Sequence, residues 1–404
     1  MHIILIAPEF PSNQRNFARA LKQAGAFVTG IGERPIAHLD GELRGWLDAY
    51  EQVGSVVDDP QMINAVRRVQ ARGPWVDRLE ATIEAHILTA ARVRQETRIP
   101  GQSVESALLC RDKPKMKAYL RSRGISTAAT TAVSTVAEAR AFAEAIGFPL
   151  IVKPRAGAGA DGTSKANNMA ELARALEMVG GGSVALEEFI EGHEGFYDTI
   201  TVNGNVAIEF VSHYYPNVLP AMRNRHVSPK ILATNRSDAS SYDELKQMGR
   251  RVIALMGLDT CATHMEWFFG PKGLKFSEIG ARPPGVGQWD VYNTGNDIDL
   301  YRQWAEGLIH GRVSQQPSRQ YAAGKLALRP DRDGRIVGYE GLEEAQRRYG
   351  EHVVTAHLPP AGTPTQPVEA GYHANAWLIA RHTDYDRLRH IMNELGRMIR
   401  VRAA

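Results

Sequence analysis

A chain of 404 residues that is 43% hydrophobic and 23% charged is too long for a single core and has the composition of an ordinary folded protein in water. Its 48 basic and 45 acidic residues leave a formal charge of +3, scattered without a Lys/Arg block, which argues against a nucleic-acid or membrane-binding stripe. Cys110 and Cys261 are too few for a disulfide framework or metal cluster and fit a reducing cytoplasm, and no stretch approaches the ~20 apolar residues of a membrane span.

Met1-His2 leads straight into the apolar run Ile3 to Ile6 with no basic region or cleavage site, so the start reads as a buried strand and not a leader. The pattern predicts a strand Ile3 to Ala7, a turn Pro8 to Ser12, a helix from about Asn13 to Ala24 stopped by Gly25, and a strand Phe27 to Ile31. Such alternation predicts a parallel sheet covered by helices. The first turn, Ala-Pro-Glu-Phe-Pro-Ser-Asn, lacks the glycine fingerprint of a dinucleotide-binding unit, so this α/β region is not the expected nucleotide site. A helical region of poor periodicity follows to about residue 97, and Arg98-Ile99-Pro100-Gly101 breaks it.

Asp112 can cap a helix in which Pro114 suits the first turn and Gly124 marks the end. Lys113 at that helix start opposes the dipole, and a bound phosphate would relieve it; a plain surface lysine fits equally well. Next, the buried strand Leu150 to Lys153 runs into a glycine loop containing Gly157, Gly159 and Gly162. Those glycines match the dinucleotide and P-loop spacings only literally. The P-loop lysine is missing, and Asn168 with Glu171 forms the capping-box signature of the actual helix start. The loop therefore joins two strands, and a mobile glycine hairpin can fold over phosphates, with Lys153 meeting one of them.

Beyond a helix Met169 to Val179 and the Gly180-Gly181-Gly182 break, a strand runs to Glu187, and a second covers Phe196 to Val202 with a turn at Asn203-Gly204. Residues 212 to 236 read as a polar insertion whose Arg223, Arg225 and His226 suit a carboxylate substrate or simply face water. A helix Tyr242 to Met256 then leads to the most informative stretch.

Residues 260 to 287 read as a hairpin around Gly270-Pro271-Lys272-Gly273. If the loop is Pro271 to Gly273, with Gly273 left-handed, Gly270 faces Leu274, Glu266 faces Glu278 and His264 faces Gly280. Facing residues share one side of the pair at roughly 4.5 to 5.5 Å between Cβ atoms. Two carboxylates so placed repel unless a cation lies between them, and Mg²⁺ is held by one or two carboxylates plus nucleotide phosphates. A two-residue loop would set Glu266 against Ser277 and leave an ordinary surface hairpin. A linker at Ser314 to Ser318 precedes a small α+β region with a strand Ala322 to Leu328, a turn at Asp333-Gly334, a strand Ile336 to Gly338, and helices from about Leu342 to Arg348 and Tyr385 to Arg397.

Asp112-Lys113, the strand lysine with its glycine loop, Glu187-Glu188-Phe189-Ile190 with Glu194, and the Glu266/Glu278/Arg282 hairpin together resemble the ATP-grasp superfamily over about residues 108 to 310. His264-Met-Glu266, Glu278-Ile-Gly-Ala-Arg282-Pro-Pro-Gly and the segment Gly334 to Ala345 are most similar to its L-amino acid ligase branch. The resemblance implies a three-part architecture, α/β and α+β. It comprises an N-terminal parallel-sheet domain (1–108), a two-lobed ATP-grasp domain (109–313, lid about 125–190) and a small C-terminal α+β domain (319–404).

By the same resemblance, Lys113 and Lys153 contact ATP phosphates beneath the glycine loop, Glu187 to Ile190 present backbone to adenine, and Glu194 binds ribose. Glu266 and Glu278 hold Mg²⁺ or Mn²⁺, Arg282 steadies an acyl phosphate, and Arg223, Arg225, His226, Arg282 and Gly285 lie near substrate. Many members carry Asn where this chain has Gly280, leaving the second metal one ligand short; His264, facing Gly280, is expected to fill the gap through water or substrate. The implied activity is a cytoplasmic ATP-dependent carboxylate–amine ligase acting on small molecules, as a single chain or homodimer. A carboxylating or purine-pathway ligase and an inactive ATP-binding regulator are the alternatives.

Overall fold

The computed structural model describes residues 1–155, 162–178 and 184–404. The opening strand, His2–Ile6, is buried along its whole length. Successive side chains of a strand point to opposite faces, so Ile3 and Leu5 enter one core with Phe17 and Leu21, while Ile4 and Ile6 enter another with Val66 and Ala90. That is the sheet covered on both faces which the continuous apolar run predicts. Its strands pair in parallel, in the spatial order Ala49–Gln52, Phe27–Gly32, His2–Ile6, Arg78–Glu80. The first and last of these lie in the stretch expected to be helical. They are short and carry polar residues on the sheet's edges, so their sequence shows no period-2 signal.

The central element is an eight-stranded antiparallel sheet. It runs in the order Gly273–Gly280, Cys261–Gly270, His193–Val202, Asn205–Tyr215, Lys230–Ala233, Ala322–Leu328, Ala376–His382, Val353–His357. Residues 212–215 and 230–233, expected within a polar insertion, are therefore strands in mid-sheet. Their polar side chains are buried but paired: Ser212 Oγ lies 3.0 Å from the Tyr292 hydroxyl, and His213 Nε2 lies 2.8 Å from that of Tyr242. Hydrogen bonding makes such burial tolerable, and composition alone cannot reveal it. The strands Ala322–Leu328, Ala376–His382 and Val353–His357 extend this same sheet, whereas Ile336–Glu340 and Arg400–Ala403 pair separately as a two-stranded sheet.

A smaller antiparallel sheet, Thr130–Val133, Val184–Glu188, Leu150–Pro154, Ser164–Ala166, lies apart from it in the chain's ladders. Here Leu150 pairs with Ala166 and Val152 with Ser164, so the glycine stretch connects two antiparallel strands, as expected. Asn168 accepts from Glu171 N at 3.0 Å and Glu171 accepts from Asn167 N at 2.9 Å, which starts the helix Met169–Met178.

The N-terminal region is joined to the large sheet by aromatic packing. The Phe17 ring lies 5.3 Å from Trp289, 4.9 Å from Tyr301 and 5.0 Å from Trp304, and Arg19 pairs with Asp299 at 2.9 Å. Phe17 is 2% exposed, so Phe17→Ala is expected to cost about 3 to 5 kcal/mol through lost transfer energy and a cavity. Chemical unfolding curves check it; a loss within the range of surface substitutions would contradict the packing described.

Candidate functional site

The hairpin reaches its expected geometry by an unexpected route. Gly270 pairs with Gly273, so the loop is the two residues Pro271-Lys272, with Gly273 left-handed at φ +73°. Taken alone, that register would place Glu266 opposite Ser277. A β-bulge between Trp267 and Glu266 leaves Ser277 unpaired, and the ladder resumes with Glu266 opposite Glu278, Met265 opposite Ile279 and His264 opposite Gly280. One extra residue in one strand restores the face. Both glutamates line a cavity of about 830 Å³ together with Lys113, Lys117, Lys153 and Arg282, a volume suited to a nucleotide-sized ligand.

Charge is compensated in pairs at this cavity. Lys117, 1% exposed, donates to Glu187 Oε1 at 2.6 Å, and Lys153 Nζ lies 2.8 Å from Glu187 Oε2. Burial works against ionisation of Glu187, but the two ammonium groups outweigh it and lower its carboxyl to about 2. Burial pushes Lys117 down to about 8 despite Glu187. On Lys153 burial acts the same way, yet Glu187 and Glu278 prevail and raise it. Lys113 reaches Glu278 Oε2 at 3.1 Å, and with Lys153 it holds the Glu278 carboxyl low against burial. Lys117 was not anticipated. Its spacing of four from Lys113 puts both on one helix face, a signal present in the sequence.

Glu194 is in the opposite position. It accepts from Val218 N at 2.7 Å, but burial and then the neighbouring Glu266 charge push it up to about 8. His264 Nδ1 donates to Asp198 Oδ1 at 2.7 Å, and its Nε2 lies 3.8 Å from Glu266 Oε1. Asp198, 1% exposed, also accepts from the Tyr292 hydroxyl at 2.5 Å. Burial disfavours the imidazolium, but Asp198 overcomes it and raises His264 to about 9. Arg282 donates from Nε to Glu84 Oε2 at 2.6 Å, and Arg111 bonds the other oxygen at 2.8 Å. A Cβ built on Gly280 would meet Glu84 Oε2 at 3.0 Å. The Glu84 carboxylate thus fills the space beside the hairpin into which a larger residue at 280 would project.

The remaining candidates divide. Glu187, Glu188, Phe189, Ile190, Arg223 and Gly285 line the cavity. Two of the backbone donors expected to face adenine are engaged within the fold: Glu188 N donates to Ala129 O at 2.8 Å and Phe189 N to Pro149 O at 3.3 Å. The Glu188 carboxylate accepts from Ala129 N at 3.1 Å and from Lys272 at the hairpin tip. Arg225 and His226 are placed elsewhere; Arg225 pairs with Asp333 at 2.7 Å, and neither lines the cavity. Gly157 and Gly159 lie outside the described residues, whereas Gly162 is left-handed at φ +66°.

Residues 118–294 match the ATP-grasp domain family. An L-arginine-specific L-amino acid ligase of Bacillus subtilis is 27% identical over 319 residues, covering 76% of this chain and 75% of the relative. An alanine–anticapsin ligase of Bacillus subtilis is 26% identical over 216 residues, which is 47% of this chain and 45% of that protein. The crystal structure of an L-amino acid ligase from Bacillus licheniformis superposes with a TM-score of 0.78 at 18% identity, covering 100% of this chain and 98% of the other, a likeness of fold.

A carboxyl lowered from 4.5 to about 2 contributes stability that is complete above the unfolded value and is lost as pH falls through the folded one. Glu187→Gln removes the carboxylate that both ammonium groups contact and leaves them only the more distant charge of Glu278, so it should cost about 3 to 5 kcal/mol at neutral pH and distinctly less near pH 3. Urea unfolding at both values checks this; an equal cost at both would contradict the ion-pair account.

Proposed function

We propose that this chain, whose residues 118–294 match the ATP-grasp domain family, is an ATP-dependent carboxylate–amine ligase joining amino acids or similar small molecules. The observation that carries the reading is the pairing of Glu266 with Glu278 on one face of the hairpin, at a cavity that also receives Lys113 and Lys153. Among the described residues no group of three or more His, Cys, Asp or Glu forms a metal site by itself. The donors at the hairpin are carboxylate oxygens, the ligands a hard dication accepts, and such ions are completed by nucleotide phosphates. The residues present therefore fit Mg²⁺ or Mn²⁺ bound with ATP, held by Glu266 and Glu278. Bound there, the ion would offset charge on the transferring phosphoryl group.

In this reading Lys113 and Lys153 exchange their carboxylate partners for ATP phosphates. Glu194 takes the ribose hydroxyls, and the Glu187 to Ile190 segment borders the adenine. The γ-phosphoryl group passes to a substrate carboxylate oxygen as ADP leaves. The amine nitrogen then attacks the acyl carbon, the C–O bond to phosphate breaks, and an amide, ADP and phosphate result once the nitrogen loses its proton. Arg282, steadied by Glu84, faces the acyl phosphate, and His264, fixed by Asp198, orients substrate or a bound water beside Gly280. Arg223 and Gly285 border the substrate end. Closure over the cavity keeps water from the acyl phosphate.

The division into 1–108, 109–313 with a lid at about 125–190, and 319–404 belongs to the same proposal, as do a cytoplasmic setting and a homodimer. No helix among the described residues is long and apolar enough to cross a membrane.

A second reading, an ATP-binding regulator without turnover, is favoured by Gly280 and the Glu84 carboxylate beside it. The two readings separate when ADP release is measured with pairs of amino acids. The ligase responds to a pair, a carboxylating enzyme responds to bicarbonate, and the regulator binds MgATP without responding to either. Glu266→Gln and Glu278→Gln should each lower turnover by about a hundredfold or more, because each removes charge that holds the metal. Near-normal turnover in either variant would sink the metal assignment. For His264→Ala, calorimetry should show weaker metal uptake with nucleotide, and ordinary uptake would remove His264 from the site.

A further inference from the structure

The segment that joins the hairpin to the helix Gln288–Asn296 borders the substrate end of the cavity through Pro284, Gly285 and Val286. Its backbone is held in an unfavourable form. Val286 has φ +50° and Gly287 φ +71°, two successive residues in the left-handed region. Glycine adopts that region freely, but a β-branched residue there is a true outlier. Such a conformation persists only where surrounding structure over-determines it, and it clusters at ligand clamps.

One side chain supplies the constraint. Lys325 stands in mid-strand, paired with Ile231 on one side and Ile379 on the other, so its root is rigid. Its Nζ donates to the Val286 carbonyl at 2.6 Å and lies 4.4 Å above the Trp377 ring. Asp290, one turn into the following helix, supplies opposing charge, although burial still pushes the ammonium down to about 8. A buried ammonium is expensive unless its donors are used, and its charge-assisted bond to a carbonyl is among the stronger kinds. Lys325 does not line the cavity, so any action on substrate passes through the loop.

We infer that Lys325 is a positioning residue that clamps the Val286 carbonyl and thereby sets the Pro284–Val286 wall against which the carboxylate or amine substrate is seated. The inference rests on the ligase reading for what the wall contacts, and on geometry alone for the clamp. Lys325→Met keeps the apolar stem and removes the donor. Hydrogen exchange on the whole chain should then quicken in peptides spanning 284–290 while the strand Ala322–Leu328 keeps its protection. In turnover, KM for an amino-acid substrate should rise about tenfold, the scale of a lost charged hydrogen bond, with KM for ATP unchanged.

Val286→Gly separates a clamp from a general packing defect. Glycine accepts the left-handed backbone without the penalty, so Lys325→Met should cost much less in the Val286→Gly background than in the unaltered chain. Unchanged exchange at 284–290, an equal cost in both backgrounds, or a change confined to kcat or to KM for ATP would overturn the clamp. Absence of amino-acid-dependent turnover in the unaltered chain would overturn the ligase reading alone, because the exchange measurement needs no turnover.

Discussion

Two carboxylates facing each other on one side of an antiparallel pair raise the free energy of the folded chain unless opposite charge is brought to them. Around Glu266 and Glu278 the fold brings that charge from three separate elements. Lys113 comes from the helix Lys113–Arg121, Lys153 from the small sheet, and His264 from the hairpin itself. Glu187 then holds the buried ammonium groups of Lys117 and Lys153 in place. Removing one member of such a set leaves another buried and unpaired, and that costs far more than the pair contributes. The elements that meet at the cavity are therefore coupled electrostatically.

The two sides of the site are supported differently. At the end lined by Lys113, Lys117 and Lys153, charges answer one another directly. At the other end, the chain relies on residues behind the cavity surface: Glu84 on Arg282, Asp198 with Tyr292 on His264, and Lys325 on the Val286 carbonyl. These come from the N-terminal region, the large sheet and the C-terminal strands. Continuity of the eight-stranded sheet from the strand that carries Asp198 to the strand that carries Lys325 gives these two supports one rigid frame. Preorganisation of this kind reduces what binding must spend on ordering the site.

Gly280 illustrates how a departure from a family pattern acquires a physical reading. In the sequence it is a glycine where the resemblance leads one to expect asparagine. In the folded chain it is the position where a Cβ would crowd the Glu84 carboxylate that steadies Arg282. The vacancy and the neighbouring ion pair are thus one feature, and neither is intelligible without the other.

Local chemistry sufficed for much of the molecule. The apolar run at residues 3 to 6, the Asn168/Glu171 helix start, the strand lysine at 153 and the pairing of Glu266 with Glu278 are consequences of short-range pattern, where side-chain period and turn residues act within a few positions. The hairpin also shows the limit of that reasoning, since the facing glutamates arise from a two-residue loop corrected by a bulge at Ser277, two local choices that cancel. Strands at 49–52 and 78–80 escaped because they are short and polar at the sheet's edges, and the strand at 212–215 because its buried polar side chains are paired with Tyr292 and Tyr242. The placement of Glu84, Asp198 and Lys325 was decided by tertiary structure alone. A buried charge is stable only beside its partner, and which residues become partners depends on how separate lobes pack around one cavity.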